Sequence, residues 1–247
     1  MERLDLDIAR EEVKVQSMAR RTGGESAFLT QGDILSISEL LYGMLVQGGN
    51  DCAMQLALYF GGLLLSKELV HVEMVKIVDE VTRKTQKIIV DPFIHKESYY
   101  RKSKEVLAFL SYMNREAKKL NLKNTFFDCP HGLHGDKTKS TAYDLAILSA
   151  HCVQDKRFLE ITKTKFYTIP KSQRIAHRYD WMNTHQMVSD PHFTPLKYGN
   201  SPLTGPCLAT CYHIDKPQNK FMILVMLRSK DVTSQWKNAK KLIKWAC

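Results

Sequence analysis

The chain changes period partway along its length, and that change constrains its fold more than any other feature. Up to about residue 162 the apolar residues recur at helical spacing, and after Pro170 they gather in short runs separated by turn-formers. Residues 36–60 read as two apolar helical segments, SISELLYGMLV and DCAMQLALYF, broken by Gly48 and Gly49. Ser36 or Ser38 is placed to cap the first ahead of Glu39. The two glycines permit backbone angles closed to other residues, and Asn50 or Asp51 is placed to cap the second segment. Further helices are predicted over 104–120, 141–152 and 155–162. Residues 201–214 and 221–227 flank the turn-forming DKPQN, which predicts a β-hairpin.

The last stretch, VTSQWKNAKKLIKWAC, puts Trp236, Ala239, Leu242, Ile243 and Ala246 on one helical face. That face is predicted to pack on the sheet, with an interfacial membrane helix as the alternative. Helices, then strands, then a closing helix predict an α+β fold with an antiparallel sheet flanked by helices. Residues 63–104 form a charged stretch with nine basic and six acidic residues from Lys67 to Lys104. Leu65, Leu69, Val72, Val75 and Val78 fall close to one stripe, so this stretch is predicted to be largely helical.

With 247 residues and 44% hydrophobic composition, the chain can bury a full core, and residues 1–247 are read as a single domain. No segment is apolar for long enough to span a membrane, so no transmembrane segment is expected. The opening MERLDLDIAREEVKV lacks the layout of a secretory signal, which favours an intracellular location. The net charge of +10 favours an anionic partner or surface. Part of that excess lies after Arg228, without any nucleic-acid fold signature, so it reads as a solvated helix face and no nucleic acid is expected. The six cysteines form no C-x-x-C pair, which points to buried free thiols and to neither zinc nor a dense disulfide framework, and no cofactor is expected.

Several local runs then resemble, in order and spacing, the serine D-alanyl-D-alanine carboxypeptidases, the small penicillin-binding proteins. They are Thr22-Gly23-Gly24-Glu25-Ser26, Glu39-Leu40-Leu41-Tyr42-Gly43-Met44-Leu45, Met113-Asn114, Asn124-Thr125-Phe126 and Pro130-His131-Gly132-Leu133. Ser140-Thr141-Ala142-Tyr143-Asp144-Leu145, Thr164-Lys165-Phe166-Tyr167-Thr168 and Asn183-Thr184 follow. The resemblance implies a β-lactamase/transpeptidase-like fold, N-terminally truncated relative to the family, with residues 63–104 as an insertion.

Family members attack the terminal peptide bond with a serine and pass through an acyl-enzyme. That serine opens a Ser-x-x-Lys motif, in which one helical turn brings the lysine beside the hydroxyl. Ser17 is followed at that distance by Arg20, and the only literal match is Ser234-Gln235-Trp236-Lys237, in the closing helix. The second family motif, Ser-x-Asn, aligns with Gly48-Gly49-Asn50, so the relay hydroxyl is gone while Asn50 is kept. The third, Lys-Thr-Gly, aligns with Lys197-Tyr198-Gly199, where a phenol replaces a small hydroxyl and is expected to narrow the carboxylate slot.

Losing the nucleophile of a serine hydrolase costs on the order of a millionfold in turnover. The resemblance with its departures therefore implies a catalytically inactive homologue serving as a binding or assembly subunit. The alternative is a carboxypeptidase whose Ser-x-x-Lys segment is missing from this chain. The expected partners are another protein chain covering the groove left by the missing N-terminal segment, and a carboxylate-bearing peptide.

Overall fold

A computed structural model describes residues 7–72, 74–78, 85–89, 93–94, 103–133, 137–215 and 220–247. In chain order the elements begin with β1 (Glu12–Lys14), α1 (Ser17–Arg20), β2 (Ile34–Ser36) and α2 (Ile37–Tyr42). A π-helical turn (Gly43–Gln47) leads into α3 (Asn50–Ser66), β3 (Met74–Val78), β4 (Thr85–Ile89) and α4 (Lys104–Lys119). Then come α5 (Ala142–Cys152), α6 (Lys156–Lys163), β5 (Phe166–Ile169), β6 (Tyr179–Met182) and a 3-10 turn (Gln186–Ser189). The chain ends with β7 (Phe193–Ser201), β8 (Gly205–Asp215), β9 (Lys220–Met226) and α7 (Val232–Ala246).

These elements gather into two compact units, Met1–Ala53 with Thr141–Cys247, and Met54–Ser140. The larger unit is discontinuous: the chain leaves it within α3 and returns at Thr141.

The helix starts follow their caps. Ser36 accepts from the Glu39 N–H while the Glu39 carboxylate takes the Ser36 N–H, a reciprocal pair that satisfies two otherwise orphaned donors at the start of α2. Thr141 caps α5 through the Asp144 N–H, and Asp155 caps α6 through the Arg157 N–H. Each such cap contributes about 1 kcal/mol.

The larger unit is organised on the antiparallel sheet β7-β8-β9. Alternation along its strands sorts two cores. Leu208, Met222, Leu224 and Met226 face Trp236, Ala239 and Ile243 of α7. Ala209, Cys211, Phe221 and Ile223 share the other core with Val153, Phe158 and Leu159, from the end of α5 and from α6. The predicted hairpin is β8 paired with β9, and α7 does pack on the sheet. Leu242 and Ala246 depart from the expected face, since both are exposed, and Gln235 is buried in α7 instead.

In the smaller unit, α3 and α4 approach so closely that a Cβ at Gly61 would lie 1.8 Å from the Glu105 carbonyl oxygen, which only glycine accommodates. Leu64, Val70 and Ala108 pack together beside that approach. The expectation that residues 63–104 are largely helical is corrected here, because β3 and β4 form an antiparallel pair from Met74↔Ile89 to Val78↔Thr85. Val75, Ile77, Val78, Thr85, Ile88 and Ile89 are β-branched, and residues of that shape favour extended backbone. The rest of that stretch lies partly outside the described residues.

No helix among the described residues is long and apolar enough to cross a membrane. Among the same residues, no group of three or more His, Cys, Asp or Glu side chains could hold a metal ion. The six cysteines are unpaired, and Cys52, Cys129 and Cys211 are buried.

Candidate functional site

One side of the site is the junction of the π-helical turn with α3. Gly48 caps the turn in left-handed conformation, φ +84°, which a β-carbon penalises. Gly49 is needed for a different reason: a Cβ there would lie 2.7 Å from the Ala27 Cβ and 2.7 Å from Asp51 Oδ1. Asn50 is buried, its Nδ2 donates to the Gly23 carbonyl at 2.9 Å, and its backbone N–H donates to the Glu25 carbonyl at 2.8 Å. The side chain that the resemblance assigns to a substrate therefore ties down segment 22–25.

Asp51 does the same for the next four residues. Its buried carboxylate accepts from Ser26 Oγ at 2.7 Å, from the Ala27 and Leu29 N–H groups at 2.9 and 3.0 Å, and from its own neighbour, the Cys52 N–H, at 2.9 Å. Position in the first turn of α3 adds the favourable end of the helix dipole. The clamp holds Phe28 at φ +61°, an unfavourable angle for a bulky residue. Trp181 Nε1 donates to the Ala27 carbonyl at 3.0 Å and fastens the same segment to β6.

The other side is β7, which pairs with β8 alone among the described residues. Its register shifts between Pro195↔Thr210 and Lys197↔Ala209, leaving Leu196 as an extra residue. Pro195 has no N–H to give a ladder, and an outer strand with a bulge tolerates it. The bulge decides where the site residues point, because one extra residue exchanges the two faces of everything that follows. Lys197 pairs with Ala209, so it lies on the face away from α7. Tyr198 pairs with Leu208, so it lies on the α7 face.

The ring of Tyr198 accordingly lies 5.4 Å from that of Trp236, tilted at 34°. The ring expected to narrow the carboxylate slot thus lies against Trp236. Its phenol is pushed up by burial and then by the negative charge of Glu25.

Lys197 Nζ donates to the Tyr198 carbonyl at 2.8 Å. A Cβ built on Gly48 would lie 3.5 Å from the same nitrogen, so the structure brings these two predicted residues together. The lysine as a whole is exposed, while its amine end has protein atoms close enough for desolvation to act on it. Desolvation pulls it down to about 8, against the opposing charge of Glu25. Gly199 is exposed, and nothing lies within 4 Å of where its Cβ would be.

Two residues of the site were not singled out from sequence. Glu25 belongs to the Thr22–Ser26 run, but nothing in that run places its charge near Lys197. His185 follows Asn183-Thr184 and is buried against Trp236, with ring centroids 5.0 Å apart. Its Nδ1 accepts from the Met187 N–H at 3.3 Å, and burial holds its pKa down to about 4, with the Lys197 charge adding to the depression. Ser234, in the only literal Ser-x-x-Lys, instead donates its hydroxyl to the Asp231 carbonyl at the start of α7.

Residues 103–230, more than half of the chain, match the model of the family described as D-alanyl-D-alanine carboxypeptidase. The chain belongs to that family. Over 226 residues, 90% of this chain, it is 25% identical to the D-alanyl-D-alanine carboxypeptidase DacD of Salmonella typhimurium, of which it covers 45%. Over 178 residues it is 25% identical to DacF of Bacillus subtilis, covering 34% of that protein. The chain thus spans less than half the length of these curated relatives.

Among solved structures it is similar to a Streptomyces DD-transpeptidase, with a TM-score of 0.74 and 22% identity over 98% of this chain and 80% of that one. Penicillin-binding protein 5 from Haemophilus influenzae matches with a TM-score of 0.69 over 96% of this chain and 56% of that one. The fold is therefore that of the DD-peptidases, α+β with antiparallel sheets and helices.

Proposed function

We propose that the chain is a non-hydrolysing member of the D-alanyl-D-alanine carboxypeptidase family that binds a carboxylate-bearing peptide without cleaving it. The observation that carries this reading is at position 48. Where the family's relay serine aligns, the chain has a glycine in left-handed backbone, and the direction its side chain would take ends 3.5 Å from the Lys197 amine. No hydroxyl is there to pass a proton between nucleophile and leaving group.

The binding half of the reading draws on what is kept. Lys197 offers a cation, and Gly199, two residues on along the strand, leaves room for a ligand backbone. Tyr198 lies on the other face of β7, against Trp236.

Incubation of the chain with a fluorescent penicillin tests the first half, and calorimetric titration with a peptide ending in D-Ala-D-Ala tests the second. The expected results are no covalent adduct by intact mass, no released D-Ala, and peptide binding that Lys197→Met weakens. Stoichiometric acylation would instead support the rival reading, a serine carboxypeptidase whose Ser-x-x-Lys helix lies outside these 247 residues. The retained Lys197 and Gly199 are what favour that rival.

A further inference from the structure

We propose that the smaller unit carries a binding site of its own, for a small organic anion with an apolar body, in the cavity at the C-terminal end of α4. The cavity holds about 290 Å³ and opens to solvent on one side. That volume suits one small molecule, at the lower end of the range for ligand sites.

Its walls are set by bonds that need no ligand. Asn114 is buried and spends its amide on them: Nδ2 donates to the Phe93 and Phe127 carbonyls at 2.8 Å each, and Oδ1 accepts from the Phe127 N–H at 2.7 Å. One side chain thus fixes the backbone at Phe93 against the backbone that follows Phe126. Phe126 in turn exchanges both of its backbone bonds with Lys139 at 2.9 Å, and the Thr125 and Ser140 hydroxyls meet at 2.9 Å. The Phe93 and Phe126 side chains and Leu122 give the cavity its apolar surface.

The polar part of the lining is basic. Lys118 and Lys123 border the cavity, and among the described residues neither has a carboxylate within ion-pair distance. No aspartate or glutamate among those residues lines it, and Glu116, the acidic residue of the same helix turn, is taken by Lys119 at 2.6 Å. Lys118 Nζ lies 5.7 Å from the centre of the Phe93 ring, over which the Arg115 guanidinium also sits at 5.3 Å. A ring attracts cations without neutralising them, so positive charge is gathered at this wall and left for an anion.

The carbonyls at a helix C-terminus ordinarily oppose an anion. Here the Leu122 N–H takes the Ala117 carbonyl at 2.9 Å and the Asn121 N–H takes the Lys118 carbonyl at 3.0 Å, the paired bonds that close a helix. That closure holds Asn121 at φ +58°, where glycine is usual. Asparagine brings to the cavity lining an amide that glycine would not supply. Two lysines without counter-charges, beside two rings and a leucine, describe a ligand anionic at one end and apolar at the other. A carboxylate on a small hydrocarbon body has that chemistry.

The site does not depend on peptide binding or hydrolysis, because its lining residues belong to the smaller unit and Gly48, Lys197 and Gly199 belong to the larger. The test titrates the full chain with fluorobenzoate and with fluorobenzyl alcohol, a neutral probe of similar shape, each followed by fluorine NMR of the probe. So small a ligand should bind with a dissociation constant of about 1 mM, and the alcohol about tenfold more weakly. Lys118→Gln and Lys123→Gln should each weaken fluorobenzoate about threefold, and the double variant should abolish its advantage over the alcohol. The pair Lys237→Gln and Lys241→Gln, on α7, should leave it unchanged.

Asn121→Gly separates the fold from the ligand. The melting temperature should be unchanged or raised, since glycine suits φ +58°, while affinity for fluorobenzoate falls about twofold. Equal affinity for the two probes, or fluorobenzoate binding untouched by the Lys118 and Lys123 double variant, overturns the proposal. So does binding lost with Lys197→Met, which would put the probe at the carboxylate site of the proposed function. Acylation by a penicillin would sink that function and leave these affinities unaltered, so the two failures can be told apart.

Discussion

Gly48 closes a π-helical turn at φ +84°, whereas Gly199 lies in the extended strand β7 with nothing within 4 Å of where its Cβ would be. The first is a glycine because its own backbone requires one. The second answers to no demand made by this chain. Their surroundings differ in the same sense. The turn side is over-determined: Asn50 holds Gly23, Asp51 accepts from segment 26–29, and Trp181 fastens Ala27. The strand side is an outer strand whose lysine has a single bond back to its own neighbour. The comparison teaches that the glycine at position 48 is imposed by the local backbone, while the one at position 199 is not.

The most damaging way to break the pinned side is Asp51→Ala. It strands the Ala27 and Leu29 N–H groups and the Ser26 hydroxyl, and removes what holds Phe28 at positive φ. Orphaned buried donors cost about 1–3 kcal/mol each, partly recovered by water, so a loss of about 4 kcal/mol is expected. All three tryptophans lie in the larger unit, so urea unfolding followed by tryptophan fluorescence reads it directly. A loss below about 1 kcal/mol would show that the clamp is decorative.

Behind the open strand, His185 provides a pH test. Its folded pKa is about 4 against an ordinary 6.5, so between those values the unfolded chain takes a proton that the folded chain refuses. The contribution is complete above about pH 6.5, falls as the pH drops through the window and is exhausted below about 4. At about 1.4 kcal/mol per pH unit the total is about 3 kcal/mol. His185→Gln should flatten the stability profile between pH 6.5 and 4 relative to the parent chain. Parallel profiles would mean that the ring takes up a proton in place.

Gly48→Ser asks whether the missing hydroxyl can be restored. The left-handed backbone should cost about 1–2 kcal/mol. The variant should remain unlabelled by fluorescent penicillin, because a relay without a nucleophile moves no acyl group. Unchanged stability would show that the turn relaxes, and that the glycine is not imposed by the backbone.

Much of the pinned side was legible in the sequence, and the open side was not. Ser36 and Glu39 announce their cap by type and spacing, and the two glycines before Asn50-Asp51 mark a turn into a helix. Such signals are local, a few residues apart. The direction of Tyr198 depends on a single extra residue at Leu196, and a period-two reading through Pro195 puts Lys197 and Tyr198 on the wrong faces. The β3–β4 pair was hidden for a related reason. The stripe of Leu65, Leu69, Val72, Val75 and Val78 has helical spacing, yet only Val75 and Val78 of it fall in β3, and strand pairing is what separates the two readings. The charge of Glu25 near Lys197 joins residues more than 170 positions apart, which no window along the chain contains.

The smallest expected change in stability is the sharpest test of the difference between the two glycines. Gly199→Ala adds a methyl that meets no atom within 4 Å, in a strand where alanine adopts the backbone without strain. Fewer unfolded conformations favour the variant slightly, so its unfolding midpoint should be unchanged or raised by no more than about 0.5 kcal/mol. Peptide binding should respond differently. If the space beside Lys197 receives a ligand backbone, a methyl there intrudes on it, and affinity for a peptide ending in D-Ala-D-Ala should fall about tenfold or more, the cost of one displaced close contact of about 1.4 kcal/mol. Loss of affinity at constant stability assigns the glycine to the ligand. Retained affinity would make the opening incidental, and would leave the Lys197 ammonium as the whole of the recognition.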